Sequence, residues 1–574
     1  MKLYKGDIMK KQLLTLFTKS GENFDINEWN EYPRPQMKRT SFICLNGEWD
    51  FTTNKTGEIP SDWDQKITVP FCPQSALSGV NRLIPDSDYL FYKRKFSLPQ
   101  NFNKGRVLLQ FGAVDQIAKV FVNGKFVGAH EGGYEPFYFD ITDFLKDQNT
   151  LIVVAKDDLD TCRLPYGKQK HKRGGMWYTP VSGIWQTVWL ESVPKEYIKS
   201  IKIDADDKKA TVTVNGCKDG KILLDKKEFE IKNGKAEIKL QKPLLWSPEQ
   251  PNLYNFTVIS GEDKVESYLA FRKIEIRIIN GVARLCLNQK PYFFHGLLDQ
   301  GYFPDGIFTP ATPKEFKNDI LSMKELGFNM LRKHIKVEPQ LFYYYCDLYG
   351  MAVFQDFVNN GDYSFLRDTA LPTVSMKKLP DKLLHRNKQT REAFINGMLS
   401  CVNTLYNHPS IVYWTIFNEG WGQFCADEMY DLLKSVDTSR IVDSTSGWFK
   451  AKKSDVESEH VYFKPVKLKK SNKPIVLSEF GGYSFKPQGH VANTSDTYGY
   501  RFFKTAEDFM NAFSELYEKQ IIPQIKKGLC ATVYTQVSDV EDETNGLLSY
   551  DRLILKVDKS KMLDIAKKIY EQAN

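Results

Sequence analysis

Past Asn280 the chain changes rhythm: short apolar runs alternate with stretches of helical period, in fixed order. Runs at 292–296, 329–334, 351–356 and 411–417 precede predicted helices over 313–326, 338–349, 388–406 and 425–435. The third run is separated from its helix by a long loop. Further runs fall at 440–444, 460–463, 475–478 and 530–535, and a last helix is expected over 559–571. The eight β units match a parallel (β/α)8 TIM barrel. Such a barrel carries its chemistry at the C-terminal ends of its strands.

The residues before 280 read differently. From 45 to 191 strand-like runs dominate, with no long helix; examples lie at 106–111, 119–122 and 150–155. Asn123-Gly124 between two such runs is a hairpin signal, because both positions tolerate positive φ. Residues 1–193 are expected to form a jelly-roll β-sandwich. Shorter alternating strands at 210–214 and 235–240 place an immunoglobulin-like sandwich at 194–277, and the barrel takes 278–574. A multidomain chain agrees with a length of 574 residues.

Charge excludes some partners. The net charge of +8 is thin for 79 basic and 71 acidic residues, and the basic run at 464–470 reads as a solvated face, so no nucleic acid is implied. No stretch is long and apolar enough to span a membrane. The apolar run at 9–17 is short and lacks a cleavage site, so no signal peptide is read. Nine dispersed cysteines suit a reducing compartment; Cys346 and Cys401 sit in periodic segments as core thiols. A cytoplasmic protein is expected.

Two glutamates stand out. Glu419 closes Tyr413-Trp-Thr-Ile-Phe-Asn-Glu, and Glu479 closes Ile475-Val-Leu-Ser-Glu; each is followed at once or within two residues by glycine. On the strand count they end strands four and seven, facing one pocket. Two carboxylates flanking one bond suit an acid/base and a nucleophile, held at different pKa values by their surroundings. Asn418 can bond a sugar hydroxyl beside the reacting carbon. Alone, Asn418-Glu419 also fits a helix cap with a first-turn acid.

These residues carry a resemblance to glycoside hydrolase family 2, which includes β-galactosidases, β-glucuronidases and β-mannosidases. Arg34-Pro-Gln-Met-Lys-Arg39, Leu45-Asn-Gly-Glu-Trp-Asp-Phe51, Gly175-Met-Trp-Tyr178, Ser182-Gly-Ile-Trp-Gln-Thr-Val-Trp-Leu190, Asn288-Gln-Lys-Pro-Tyr292 and His295-Gly296 resemble successive family motifs. The resemblance spans nearly the whole chain. It implies Glu419 as acid/base and Glu479 as nucleophile of a retaining exo-β-glycosidase. It also implies Arg332 beside the nucleophile and Tyr462 bonded to it. Lys333-His334 departs from the Ser-His-Tyr run of many relatives, and His334 reads equally as pocket lining or as a structural histidine. A core tyrosine is the plain alternative for Tyr462.

Trp421 and Tyr534 are candidate platforms for a pyranose face. Asp299 and Asp356, ending strands one and three, are candidates for sugar hydroxyls or ordinary turn residues. No cofactor or metal is implied. The acidic run at 538–543 has residue types that suit a hard cation, with solvation or pairing to basic groups the expected reading. Glu543 and Asn545 stand where glucuronidases place an Asn-x-Lys clamp, which favours a neutral sugar, with β-galactoside first. Alternatives are a glucuronide, mannoside, arabinoside or furanoside, or a carbohydrate-binding protein without turnover. Homo-oligomers are common in the family.

Overall fold

The computed structural model describes residues 13–370 and 380–573. The start of the N-terminal run at 9–17, residues 9–12, and part of the long loop before the third barrel helix lie outside the described residues. The first domain packs a sheet of six strands against one of four. Its core is Trp49, Phe51, Leu90, Tyr92, Val120, Val153 and their neighbours. The Asn123 turn joins Ile117–Val122 to Lys125–Glu131, with Asn123 at φ 53°. A second sandwich follows, with three strands facing four around Ile203, Val212, Ile222 and Val258. These strands alternate buried and exposed residues, as half-covered antiparallel sheets do.

A hairpin of Ile274–Ile279 and Val282–Leu287 leads into the barrel and helps close its floor with Ile274 and Leu285. The barrel strands are β1 (Phe294–Asp299), β2 (Met330–Lys333), β3 (Ala352–Asp356) and β4 (Ile411–Asn418). Then come β5 (Ile441–Ser446), β6 (Glu457–Val461), β7 (Ile475–Gly481) and β8 (Leu529–Thr535). They form one parallel sheet in the order 5-4-3-2-1-8-7-6. The β5–β6 seam carries no ladder. Instead the Asp455 N–H donates to Val442 O (2.9 Å), and the Val442 N–H donates to the Asp455 carboxylate (2.8 Å).

Phe294, Leu298, Met330, Phe354, Tyr413, Val476 and Val533 fill the interior below the site, where Phe354 and Tyr413 stack at 4.1 Å. The outer faces pack on α1 (Lys314–Glu325), α2 (Gln340–Tyr349), α3 (Lys388–Leu405) and α4 (Ala426–Val436). The sequence reading missed α5 (Ala506–Glu515), which follows β7 and is capped by Thr505. The last helix, α6, is Lys559–Ala573. Strand six begins three residues earlier than the sequence suggests, leaving Tyr462 just beyond it. Among the described residues no helix is long and apolar enough to cross a membrane.

Candidate active site

Arg332 is the hub of the strand ends. Its Nε donates to Asp356 Oδ1 (3.0 Å), and its Nη1 to Glu479 Oε1 (3.1 Å) and to Ser478 O (2.9 Å). Its Nη2 donates to Asn418 Oδ1 (2.9 Å). One buried guanidinium thus ties together β2, β3, β4 and β7. A planar fork with five donors can do this; a lysine could not.

Glu479 is buried, which alone would raise its pKa. His460, Arg332, His334 and the Tyr462 hydroxyl outweigh that and hold the carboxyl down at about 2. Arg332 is the cation of this set at every working pH. The Tyr462 O–H donates to Glu479 Oε2 at 2.5 Å, and Tyr462 also lies 2.9 Å from Thr535 Oγ1. Its ring stacks on Tyr500 with centroids 3.8 Å apart.

Glu419 follows β4 in the left-handed region, at φ 52°. Such a conformation costs a non-glycine residue about 1–3 kcal/mol and persists where surrounding bonds impose it. Here the Glu419 N–H donates to Ser446 O at 2.9 Å. The side chain is more open than that of Glu479, 16% exposed against 6%.

His460 stands between the two acids. Its Nδ1 is 2.8 Å from Glu419 Oε1, and its Nε2 is 3.6 Å from Glu479 Oε1. The Ser446 hydroxyl, 3.0 Å from Nε2, fixes the ring from behind and bonds Ser478 at 3.0 Å. One ligating atom from each of Glu419, His460 and Glu479 lies within 4.8 Å of the others. This nitrogen–oxygen set is also of a type that binds divalent cations. Asp86, Asp160 and His171 on the sandwich form another such grouping among the described residues.

The other expected residues divide. Asp356, His334 and Tyr462 join the cluster: His334 Nδ1 is 2.7 Å from Asp356 Oδ2, and burial lowers the His334 pKa. Asp299 does not. Its carboxylate pairs with Lys333 at 2.6 Å, over the ring of Phe342, on the helix side of the strands. The expectation that Asp299 meets sugar is corrected accordingly.

Tyr534 is corrected too. It points outward into the helix layer against Phe513 and Phe480, and its ring closes over Gly481, where a Cβ would come within 2.2 Å. Trp421 is 3% exposed, its ring edge-on to Trp177 and Tyr166 of the sandwich domain and its Nε1–H on Gly361 O (3.2 Å). It anchors the mouth and offers no broad open face.

The acidic run after β8 receives a loop of the first sandwich. Arg173 pairs with Asp542 at 3.1 Å, the Thr179 N–H donates to Glu541 at 2.8 Å, and the Tyr178 hydroxyl donates to Glu543. Asp539 pairs with Lys556 at 2.6 Å. Sequence reasoning missed His460, Ser446, Thr535, Tyr500 and the whole sandwich loop. Glu459-His-Val-Tyr462 lay in view, but only barrel closure shows which of its residues reach the acids.

Two sandwiches ahead of a barrel with facing strand-end carboxylates define a protein of the glycoside-hydrolase barrel class. The sequence matches the glycosyl hydrolases family 2 TIM barrel domain over 278–572, the family's sugar binding domain over 42–194 and a further family 2 domain over 190–272. The chain belongs to glycosyl hydrolase family 2.

It is 27% identical over 428 residues to a β-galactosidase of Thermoanaerobacter pseudethanolicus, covering 67% of this chain and 53% of that protein. The chain spans about half the length of the curated relatives it matches. Its fold is that of a β-glucuronidase from an uncultured Clostridium sp., with TM-score 0.72, 18% identity and coverage of 93% and 99%. It is likewise that of a β-galacturonidase from Eisenbergiella tayi bound to galacturonate, with TM-score 0.67, 19% identity and coverage of 94% and 99%.

Proposed function

We propose that the chain is a retaining exo-β-glycosidase acting on terminal neutral sugars, β-galactosides first. The observation that carries this is the closeness of the two acids, whose nearest ligating atoms lie within 4.8 Å with His460 between them. Retaining enzymes hold their carboxyl groups about 5–5.5 Å apart, whereas inverting ones leave about 6.5–9.5 Å for a water.

Glu419, the more open acid, protonates the glycosidic oxygen as the Glu479 carboxylate attacks the anomeric carbon. The C–O bond breaks and the aglycone leaves as an alcohol. Glu419, now a carboxylate, takes a proton from water; the water oxygen attacks the anomeric carbon, and Glu479 departs as carboxylate. The Tyr462 hydroxyl stabilises that departing charge. Arg332 turns Asn418 so that its amide N–H groups serve a sugar hydroxyl. Nine free cysteines support a reducing, cytoplasmic setting.

An aryl-glycoside panel with Glu479→Gln, and proton NMR of the first sugar anomer released, test the reading. A β-anomer first and an inactive variant are expected. Wild-type turnover by Glu479→Gln, or an α-anomer first, defeats it. A second reading, a β-uronide substrate, is favoured by the named activities of the structural neighbours, and the same panel decides it.

A further inference from the structure

Glu543 of the barrel and Lys168 of the first sandwich are joined through one residue, Tyr178. Glu543, past β8, is 4% exposed. It accepts the Tyr178 hydroxyl and, at 3.3 Å, an Asn545 amide N–H. The Gln536 amide N–H reaches the same carboxylate at 3.5 Å, and Gln536 follows Thr535, which meets the Tyr462 hydroxyl beside Glu479. Glu543 is thus linked through Gln536 and Thr535 to the Tyr462 side of the acid pair.

Lys168 arrives on the sandwich loop. The N–H groups of Tyr166 and Gly167 donate to Asn359 O just past β3, at 3.1 and 3.3 Å. Gly167 has φ +68°, and a Cβ there would come within 2.8 Å of Ile335 O, so only glycine lets the loop pass this close to the barrel. The Tyr178 N–H donates to Lys168 O at 2.9 Å. One tyrosine thus fixes the backbone of Lys168 and the carboxylate of Glu543. Lys168 is half-buried. Its ammonium makes no ion pair within 4.0 Å with a described residue, yet its charge bears on both Glu543 and His334.

We propose that Lys168 and Glu543 clamp one hydroxyl of the glycone between them, making Lys168 a specificity-determining residue supplied by the sandwich. A hydroxyl both donates and accepts: its O–H serves the Glu543 carboxylate, and its lone pair takes an ammonium proton. A uronate carboxylate only accepts, and would bring a second anion against Glu543 in a poorly hydrated pocket. The clamp rests on the glycosidase reading and deepens it to neutral sugars.

The test compares wild type, Lys168→Met, Glu543→Gln and the double variant on aryl β-galactoside, β-glucoside and β-glucuronide, and on deoxy analogues of the best neutral substrate. Each single variant is expected to lose about 10- to 100-fold in kcat/KM on the neutral substrate. The double variant should lose little more than either. One deoxy analogue should be insensitive to Lys168→Met, whereas a purely structural role would depress every analogue equally. Lys168→Gln replaces Lys168→Met if the latter fails to fold. Wild-type kcat/KM in the lysine variants overturns the proposal, as does equal depression of every analogue. So does a wild type that prefers the glucuronide and loses that preference with Lys168.

If the wild type cleaves no aryl glycoside, the glycosidase reading fails separately, and calorimetry with galactose, glucose and glucuronate reads the clamp. Neutral-sugar binding weakened in the lysine variant supports it; neutral-sugar binding that is absent, or independent of Lys168, overturns it.

Discussion

Arg332 and Lys333 are consecutive on β2, and each is a buried cation holding two carboxylates. Arg332 takes Asp356 and Glu479 at 3.0 and 3.1 Å. Lys333 takes Asp299 and Glu338 at 2.6 and 2.9 Å. Successive side chains on a strand point to opposite faces, so one cation looks into the barrel mouth and the other into the helix layer. The inner network ends on Glu479, whose other oxygen accepts the Tyr462 hydroxyl. The outer one lies beneath Phe342 and extends through Glu338 to Lys336 at 2.9 Å. Burial and charge are alike in the two networks; the inner one runs on through His460 to a second acid, Glu419, whereas the outer one runs on to a second cation, Lys336.

The sharpest way to break the comparison is to neutralise one acid on the inner face. Glu479→Gln is expected to lower kcat/KM at least about 10^4-fold, read with an aryl glycoside and single-turnover kinetics. Azide should restore release of a glycosyl azide in Glu479→Ala, since a small anion fits where the carboxylate was. A variant as active as wild type would erase the distinction between the faces.

Arg332→Met comes next. Losing a charged donor beside the reacting centre should cost about 100-fold in kcat. It also moves the acid limb. Glu479 is held at about 2 against an ordinary 4.5. Its contribution to stability is therefore fully present above about pH 4.5 and is lost as pH falls toward 2. Without the guanidinium the carboxyl titrates higher, so the acid limb of kcat/KM and acid unfolding both shift to higher pH. An unchanged acid limb would show that Arg332 does not set this charge.

Lys333→Met probes the outer face. Breaking the buried pair leaves Asp299 uncompensated while Glu338 keeps Lys336 at 2.9 Å, and should cost about 3–5 kcal/mol in chemical denaturation. At temperatures where the variant stays folded, kcat should remain within a few-fold of wild type. A large loss of kcat at full stability would place Asp299 in the chemistry after all.

How much of this the sequence shows follows from the same geometry. The order of elements is legible because helical periods and apolar runs differ in length and composition. Glu419 and Glu479 are legible because each is a charge at the end of an apolar run. Which face a residue takes is not legible here. Parallel barrel strands are covered on both sides and lose the alternation that the Ile201/Ile203 strand keeps. Hence Asp299 and Asp356 read alike, though only Asp356 joins Arg332. His460 is illegible for another reason: its partners lie 41 and 19 positions away, joined only when β6 meets β7. The α5 helix was within reach, since Thr505 and the buried stripe of Phe509, Ala512 and Phe513 announce it.

The smallest effect tests that parity rule at its plainest point. Tyr534 and Thr535 are neighbours on β8, as Arg332 and Lys333 are on β2. Thr535 meets Tyr462 at 2.9 Å inside the mouth, while the Tyr534 hydroxyl accepts the Tyr483 N–H at 3.2 Å outside it. Tyr534→Phe removes that acceptor but keeps the ring against Phe513. It should cost about 1 kcal/mol in denaturant unfolding and leave kcat and KM as they were. Thr535→Val changes volume little but strips the oxygen beside Tyr462, and its effect should fall on kcat. If the two variants exchanged these signatures, with Tyr534→Phe raising KM as the loss of a sugar platform would, the face assignment of β8 would be wrong, and with it the reason Lys333 and Arg332 are read as different things.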